Sequence, residues 1–317
     1  MRSTRSSIPG CGPAVHERGV ATVSTMARTI SFAGRYDQGA RSRTWWTRLA
    51  WINPPTVAGL SIVLVIVAAA MLAPAISRYD PTFGDFSQVL APPSADHFFG
   101  TDAFGRDVWT RVLSGYRVSM LVAVSSVFAA VAVGLPLGML AGFLGGGTDN
   151  LIMRPLDLLM AFPPILLAVL LIAVFGTGQV VIILALGLIY VPIMARVLRG
   201  SVIAVRGEEF VQAATAIGAT PIRIMARHVL PNSLGPLIVQ ASISIGIAIL
   251  IEASLSFIGL GTQPPDPSLG SMLSEGRDFM RDAPWVIVAP GLAIMAAVLG
   301  FNLLGDGLRD ALDHNRR

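Results

Sequence analysis

The sequence predicts an all-α polytopic membrane protein with six transmembrane helices, and three observations carry that expectation. The 317 residues are 53% hydrophobic and only 13% charged, with a mean hydropathy of +0.67, too apolar for a water-soluble domain of this length. Six apolar runs follow one another, each of 18 to 26 residues. At about 1.5 Å per helical residue, roughly 20 residues cross a 30 Å hydrocarbon layer. Finally, the charge is lopsided. All 23 basic residues are arginine, and 17 fall on one side if the amino terminus is cytoplasmic, as the positive-inside rule favours.

The elements follow in chain order. Residues 1–50 are polar and rich in Arg, Ser and Gly, without a helical or strand period, so they read as a flexible cytoplasmic tail, with Met26 as an alternative start. Cys11 is the single cysteine, which excludes an internal disulfide or a CxxC site. Arg41, Arg43 and Arg48 interleave with Trp45, Trp46 and Trp51, a mixture suited to the headgroup layer. Residues 51–317 form the transmembrane domain. Its spans are expected at Val57–Ile76, Val118–Phe143, Leu156–Phe175, Val180–Val197, Leu237–Leu260 and Trp285–Leu304. Helices are required because lipid offers the backbone no hydrogen-bond partner and the runs lack barrel alternation. Both termini are then cytoplasmic, and 77–117 and 261–284 are extracytoplasmic.

Several local features refine this frame. Gly134, Gly138 and Gly142 form a small-xxx-small stripe for close helix packing. Gly145-Gly146-Gly147 is a turn; no strand precedes it and no lysine follows, so it is no phosphate loop. Phe162-Pro163-Pro164 removes backbone donors and should kink or break the third span. Asp157 is placed to pair with Arg154 at i, i−3. In residues 96–117 a loop leads into a short helix with Val108, Trp109, Val112 and Leu113 on one side. That pattern suits a helix lying on the outer membrane surface or one contacting a partner protein.

The stretch 199–236 carries the functional signal. A first helix, Glu208 to Ile217, begins with acids and sets Phe210, Ala213, Ala214 and Ile217 on one face. Gly218 stands where a left-handed cap belongs. Thr220 and Pro221 open a second helix with Ile222, Met225, Ala226 and Val229 on its apolar face and Pro231 at its end. Two amphipathic helices outside the membrane must cover their stripes with the ends of the spans or with another protein.

Glu209-Phe-Val-Gln-Ala213-Ala214-Thr-Ala-Ile-Gly218, continuing to His228-Val-Leu230-Pro231-Asn232, resembles the EAA loop of bacterial ABC importer permeases. His97-Phe-Phe-Gly-Thr-Asp-Ala-Phe-Gly-Arg-Asp107, Glu252-Ala-Ser-Leu-Ser-Phe-Ile-Gly259, Gln263-Pro264-Pro265 and Asn302-Leu-Leu-Gly-Asp-Gly-Leu-Arg-Asp310 resemble the second permease subunit of dipeptide, oligopeptide and nickel importers. The likeness covers about residues 55 to 313. It implies the type I ABC importer permease fold and half a translocation path completed by a homologous second permease. It also implies two ATPase subunits holding ATP and Mg, and an extracytoplasmic substrate-binding protein. Glu209, Phe210, Ala213, Ala214, Ile217, Gly218, Leu230 and Pro231 would then contact the ATPase, with Ile217-Gly218-Ala219 as the bend. The cargo implied is a dipeptide or short oligopeptide, with a nickel complex as the alternative.

The chain itself carries no sign of bond chemistry and no cofactor of its own. A P-loop needs a lysine, and the sequence has none. HExxH, GxSxG and paired catalytic carboxylates are absent. His16, His97, His228 and His314 share no ligand spacing, so no metal site is expected. The arginines are scattered and do not form a nucleic-acid patch. Glu252 is the one acid deep in an apolar run; at roughly 2.5 to 3.5 kcal/mol for a mid-membrane charge it must avoid lipid. It either lines the substrate path or bonds a neighbouring helix. An ion-coupled secondary transporter remains the rival from another class.

Overall fold

The computed structural model describes residues 54–314. The tail, Met26, Cys11 and the Trp45–Trp51 cluster lie outside the described residues. Among the described residues all regular structure is helical, apart from one bridge between Thr101 and Asp107.

Among the described residues, five helices are long and apolar enough to cross a membrane. These are α1 (Pro54–Ile76), α2 (Val108–Leu144), α5 (Gln179–Arg206), α7 (Pro221–Phe257) and α9 (Trp285–His314). The candidate for a sixth crossing among the described residues is the pair α3 (Gly146–Met160) and α4 (Pro164–Phe175), bent by 89°. The break expected at Phe162-Pro163-Pro164 is therefore a sharp elbow. Pro163 is held extended (φ −57°, ψ 129°) by the proline after it, and Pro164 restarts the helix at a position where its missing N–H is not needed. Alone, the 12 residues of α4 reach about 18 Å, short of a bilayer.

The expected surface helix at 108–117 does not exist as a separate element. It is the beginning of α2, which runs unbroken for 37 residues. Val108, Val112 and Leu113 are buried, the first two against Leu269, Met272 and Val286, so their stripe faces protein and not headgroups. No breaker separates this stripe from the following span. Gly115 lets α8 (Leu269–Gly276) approach until a Cβ there would meet Leu269 at 3.0 Å.

The glycine stripe packs as expected, against α5. A Cβ at Gly134 would meet the Met194 Cβ at 2.8 Å, one at Gly138 would run into the Ala195 carbonyl, and one at Gly142 would meet the Val202 Cγ1 at 2.8 Å. The contacts advance in the same sense along both helices, so α2 and α5 run parallel, as two spans separated by one return crossing must. Helix α9 packs antiparallel on α1, where Gly59 meets Leu303 and Leu304 while Gly307 meets Thr56.

The pairing of Asp157 is corrected. It reaches across to Arg196 of α5 at 2.5 Å and not back to Arg154, while Asp149 takes a two-pronged bond from Arg199, 2.5 Å on each oxygen. Both carboxylates thus tie α3 to the arginine-bearing end of α5. The Asp157 pair is about half exposed on each side, so its contribution is at most about 1 kcal/mol.

Candidate functional site

Between α5 and the membrane-spanning part of α7 the chain folds the expected helical hairpin. Its first arm, α6 (Glu209–Ala216), starts after Glu208 in extended conformation, with Glu209 in the first turn, where the helix dipole favours an acid. Val211 and Gln212 donate their N–H groups to the Glu208 carbonyl, and the Gln212 amide bonds the Gly207 carbonyl at 3.0 Å.

The arm stops as the sequence requires. Gly218 has φ +81°, its N–H bonds the Thr215 carbonyl, and the Ala219 N–H bonds the Ala214 carbonyl at 3.1 Å. That reciprocal pair is a Schellman cap, which a left-handed glycine permits. Thr220, extended, then occupies the N-cap position without a side-chain capping bond, and Pro221 opens the second arm.

Pro231 does not end that arm, contrary to expectation. Residues Met225–Val229 widen into a π turn in which the Leu230 N–H reaches the Met225 carbonyl, five residues back. The wider turn absorbs a proline that would otherwise clash with the carbonyl four residues earlier. The second arm and the fifth crossing are consequently one helix, α7, of 37 residues.

The hairpin is two-faced. Val211, Ala214, Ile224 and Val229 are buried in the main core. On the other side Phe210 is 43% exposed, Ile217 85% and Ile222 76%. Glu209, Ala213, Gly218 and Pro231 are also exposed, Leu230 is partly buried against the core, and the Phe210 and His228 rings stand 6.5 Å apart across the two arms. The single stripe expected over Phe210, Ala213, Ala214 and Ile217 is thus split. Ala214 faces the bundle, and the other three face away. Val211 and Ile224 were missed as anchors, although Val211 stands three residues before Ala214 and shares its face.

Beside the hairpin, Pro231, Asn232 and Gln240 of α7, Val197 of α5 and Arg309 of α9 line a hollow of about 530 Å³. Midway along α7, Glu252 is fully buried. Its two oxygens accept hydrogen bonds from Ser119 of α2 and Ser256 of α7, each 2.7 Å long. The carboxyl group joins the two helices and touches no cation within ion-pair distance among the described residues.

At the opposite end, residues 97–107 fold into a compact loop. Asp107 caps α2 by accepting the Thr110 N–H at 2.8 Å and meets the His97 Nδ1 at 2.8 Å. Asp102 accepts the Phe104 and Arg106 N–H groups and the Arg106 Nε. Arg106 and Arg111 both donate to Glu275 of α8, at 2.5 and 3.1 Å. The sequence signalled the loop but not Glu275, which lies more than 160 positions away. Among the described residues no three His, Cys, Asp or Glu side chains gather as metal ligands.

Residues 134–317 match the family described as binding-protein-dependent transport system inner membrane component. The chain belongs to that family. Residues 44–93 also match the N-terminal TM domain of oligopeptide transport permease C. Among curated relatives, the dipeptide transport system permease protein DppC of Alkalihalophilus pseudofirmus is 45% identical over 261 residues, 82% of this chain and 86% of that one. The glutathione transport system permease protein GsiD of Pectobacterium atrosepticum is 41% identical over 272 residues, 86% and 90% of the two chains. Among solved structures, the inward-facing MetNI methionine ABC transporter aligns with a TM-score of 0.55 and 21% identity, over 64% of this chain and 96% of that one. That likeness shows the type I permease fold. The chain is a multi-pass permease component of an ABC importer, as its sequence motifs implied, and its relatives do not favour the ion-coupled alternative.

Proposed function

We propose that this permease forms half of a path through which an ATP-driven importer moves dipeptides or short oligopeptides into the cytoplasm. The observation that carries the coupling role is the hairpin's division of faces. One face is anchored in the bundle by Val211 and Ile224, and the other presents Phe210, Ile217 and Ile222 to the surroundings. A partner that covers Ile217 and Ile222 gains about 1.5 to 3 kcal/mol from each before association costs. In this reading the partner is one of two ATPase subunits that hold ATP and Mg. Glu209, Phe210, Ala213, Ala214, Ile217, Gly218, Leu230 and Pro231 form or support the contact.

The peptide cargo is supported by the names of the relatives, a dipeptide, a glutathione and several peptide permeases. Orientation follows from the arginines. The hairpin, both termini and the 1–50 tail face the cytoplasm, and the 97–107 loop with α8 faces outward toward a substrate-binding protein. A homologous second permease closes the path. Because the second arm is continuous with α7, a push on the hairpin moves α7 as a rod. Glu252, bonded across to Ser119, is the group that such a movement would uncover toward the path.

The test is an Ile217→Asp, Ile222→Asp double variant, which alters only exposed positions. Expected are normal membrane insertion, loss of ATPase co-purification and loss of ATP-dependent peptide uptake. Retention of both activities would remove the coupling role.

A further inference from the structure

Three hollows meet around Trp109 at the end of the bundle that carries the 97–107 loop. One groove, of about 360 Å³, lies between α2 and α9 and is walled by Trp285, Ala289 and Leu292. A second, of about 400 Å³, lies between α1 and α2 and is walled by Ile62, Val65 and Ala69. Trp109 and Tyr116 line both, with the buried Val112 at the floor between them, so one ridge of α2, at i and i+7, separates the grooves. The third hollow, of about 230 Å³, sits above the ridge beside Trp109 and is lined by Arg78 and Asp96.

The dimensions are those of a lipid. The first groove runs along α9 from Trp285 to Ala293 and the second along α1 from Ser61 to Ala69, each about 12 Å long at 1.5 Å per residue. That is most of the roughly 15 Å depth of one leaflet. The second groove opens beside Leu64, Val65 and Met71, which stay 57 to 76% exposed along α1, as suits a helix facing acyl chains. Trp109 and Trp285 stand at the mouth, at the depth where indoles collect.

The upper hollow adds charge complementarity. Arg78 and Asp96 are both exposed and, among the described residues, neither has a hydrogen bond or ion pair. The nearby Asp107 is already taken by His97 and Thr110. One free cation beside one free anion suits a headgroup that carries both signs. We infer that this face holds one diacyl phospholipid with an amine-bearing headgroup: one chain in each groove, the phosphate at Arg78 and the ammonium at Asp96.

The experiment uses the full-length chain with Trp45, Trp46 and Trp51 replaced by phenylalanine, so that emission comes from Trp109 and Trp285. In detergent it is titrated with phosphatidylethanolamine brominated on both chains, with brominated phosphatidylglycerol as the comparison. Expected is quenching that saturates near one lipid per chain, at several-fold lower concentration for the ethanolamine lipid. Ala289→Phe and Ala69→Phe, which fill the two grooves, should each raise the half-saturation several-fold. Arg78→Gln with Asp96→Asn should abolish the headgroup preference without altering the maximal quench. Leu64→Phe, outside both grooves, is the folding control and should match the parent. Quenching that rises without saturation, equal response to the two headgroups, or no effect of the groove-filling variants in protein that elutes as the parent does would overturn the assignment. So would its loss on assembly with the second permease, which would mean that a protein surface covers the grooves instead.

Discussion

Replacing Gly218 isolates the hairpin's bend from everything around it. Its φ of +81° lies in the left-handed region, yet a Cβ built there meets nothing within 4 Å. A substitution is therefore resisted by the backbone alone. For alanine that resistance is about 1 to 2 kcal/mol, more for a β-branched residue, and least for asparagine, which visits this region readily. Against it stand four buried anchors, Val211, Ala214, Ile224 and Val229, of which the three larger are worth about 1.5 to 3 kcal/mol each. The hairpin should thus stay attached to the bundle while its cap, the paired bonds of Gly218 to Thr215 and Ala219 to Ala214, is strained or lost. Peptide uptake in vesicles containing the assembled importer should fall in the order Gly, Asn, Ala, Val, with Gly218→Val inactive but normally inserted. Equal uptake by the valine and parent proteins would refute the reasoning. So would asparagine failing as badly as valine, since that would point to a side chain obstructed by a partner.

Other perturbations separate the remaining contacts. Glu252→Leu leaves the Ser119 and Ser256 hydroxyls without their acceptor and should cost about 1 to 3 kcal/mol for each, read as a lowered melting temperature in detergent; Glu252→Gln, which can still accept from one serine, should lose less. Gly138→Leu forces α2 away from the Ala195 carbonyl of α5 and should cost about 1 to 3 kcal/mol or more as overpacking, whereas Gly147→Ala, with open space around its Cβ, should be close to neutral. Arg111→Met removes a buried partner of Glu275 and Asp102 and should cost about 3 kcal/mol, seen as faster proteolysis of the 97–107 loop. Removing the charge in Asp157→Asn should change the melting temperature little, because its partner Arg196 is half exposed.

The crossings were legible in the sequence because membrane burial demands long apolar runs, and that demand leaves little freedom. Glycine and proline signals were equally direct: the Gly218 cap, the 163–164 elbow and the Gly134 stripe each follow from one residue's local chemistry. What escaped depended on partners distant in sequence. The Asp157 bond to Arg196 and the Glu275 bonds to Arg106 and Arg111 are invisible to local spacing. The first turns of α2 were misread because an apolar stripe has the same period whether it meets headgroups or α8. Pro231 was taken as a stop because a π turn leaves no mark on the hydrophobic pattern. The hairpin's stripe was set one position off because Phe210 and Val211 are both apolar, and only the packed bundle shows which of them turns inward.

The central claim is that the outer face of the hairpin is gripped by a nucleotide-driven subunit, and photo-crosslinking from Ile217 tests it most directly. With benzoylphenylalanine at that position in the assembled transporter, the account predicts a crosslink to the ATPase whose yield changes when ATP is bound. A probe that labels only lipid, or only this chain, with and without nucleotide would contradict it.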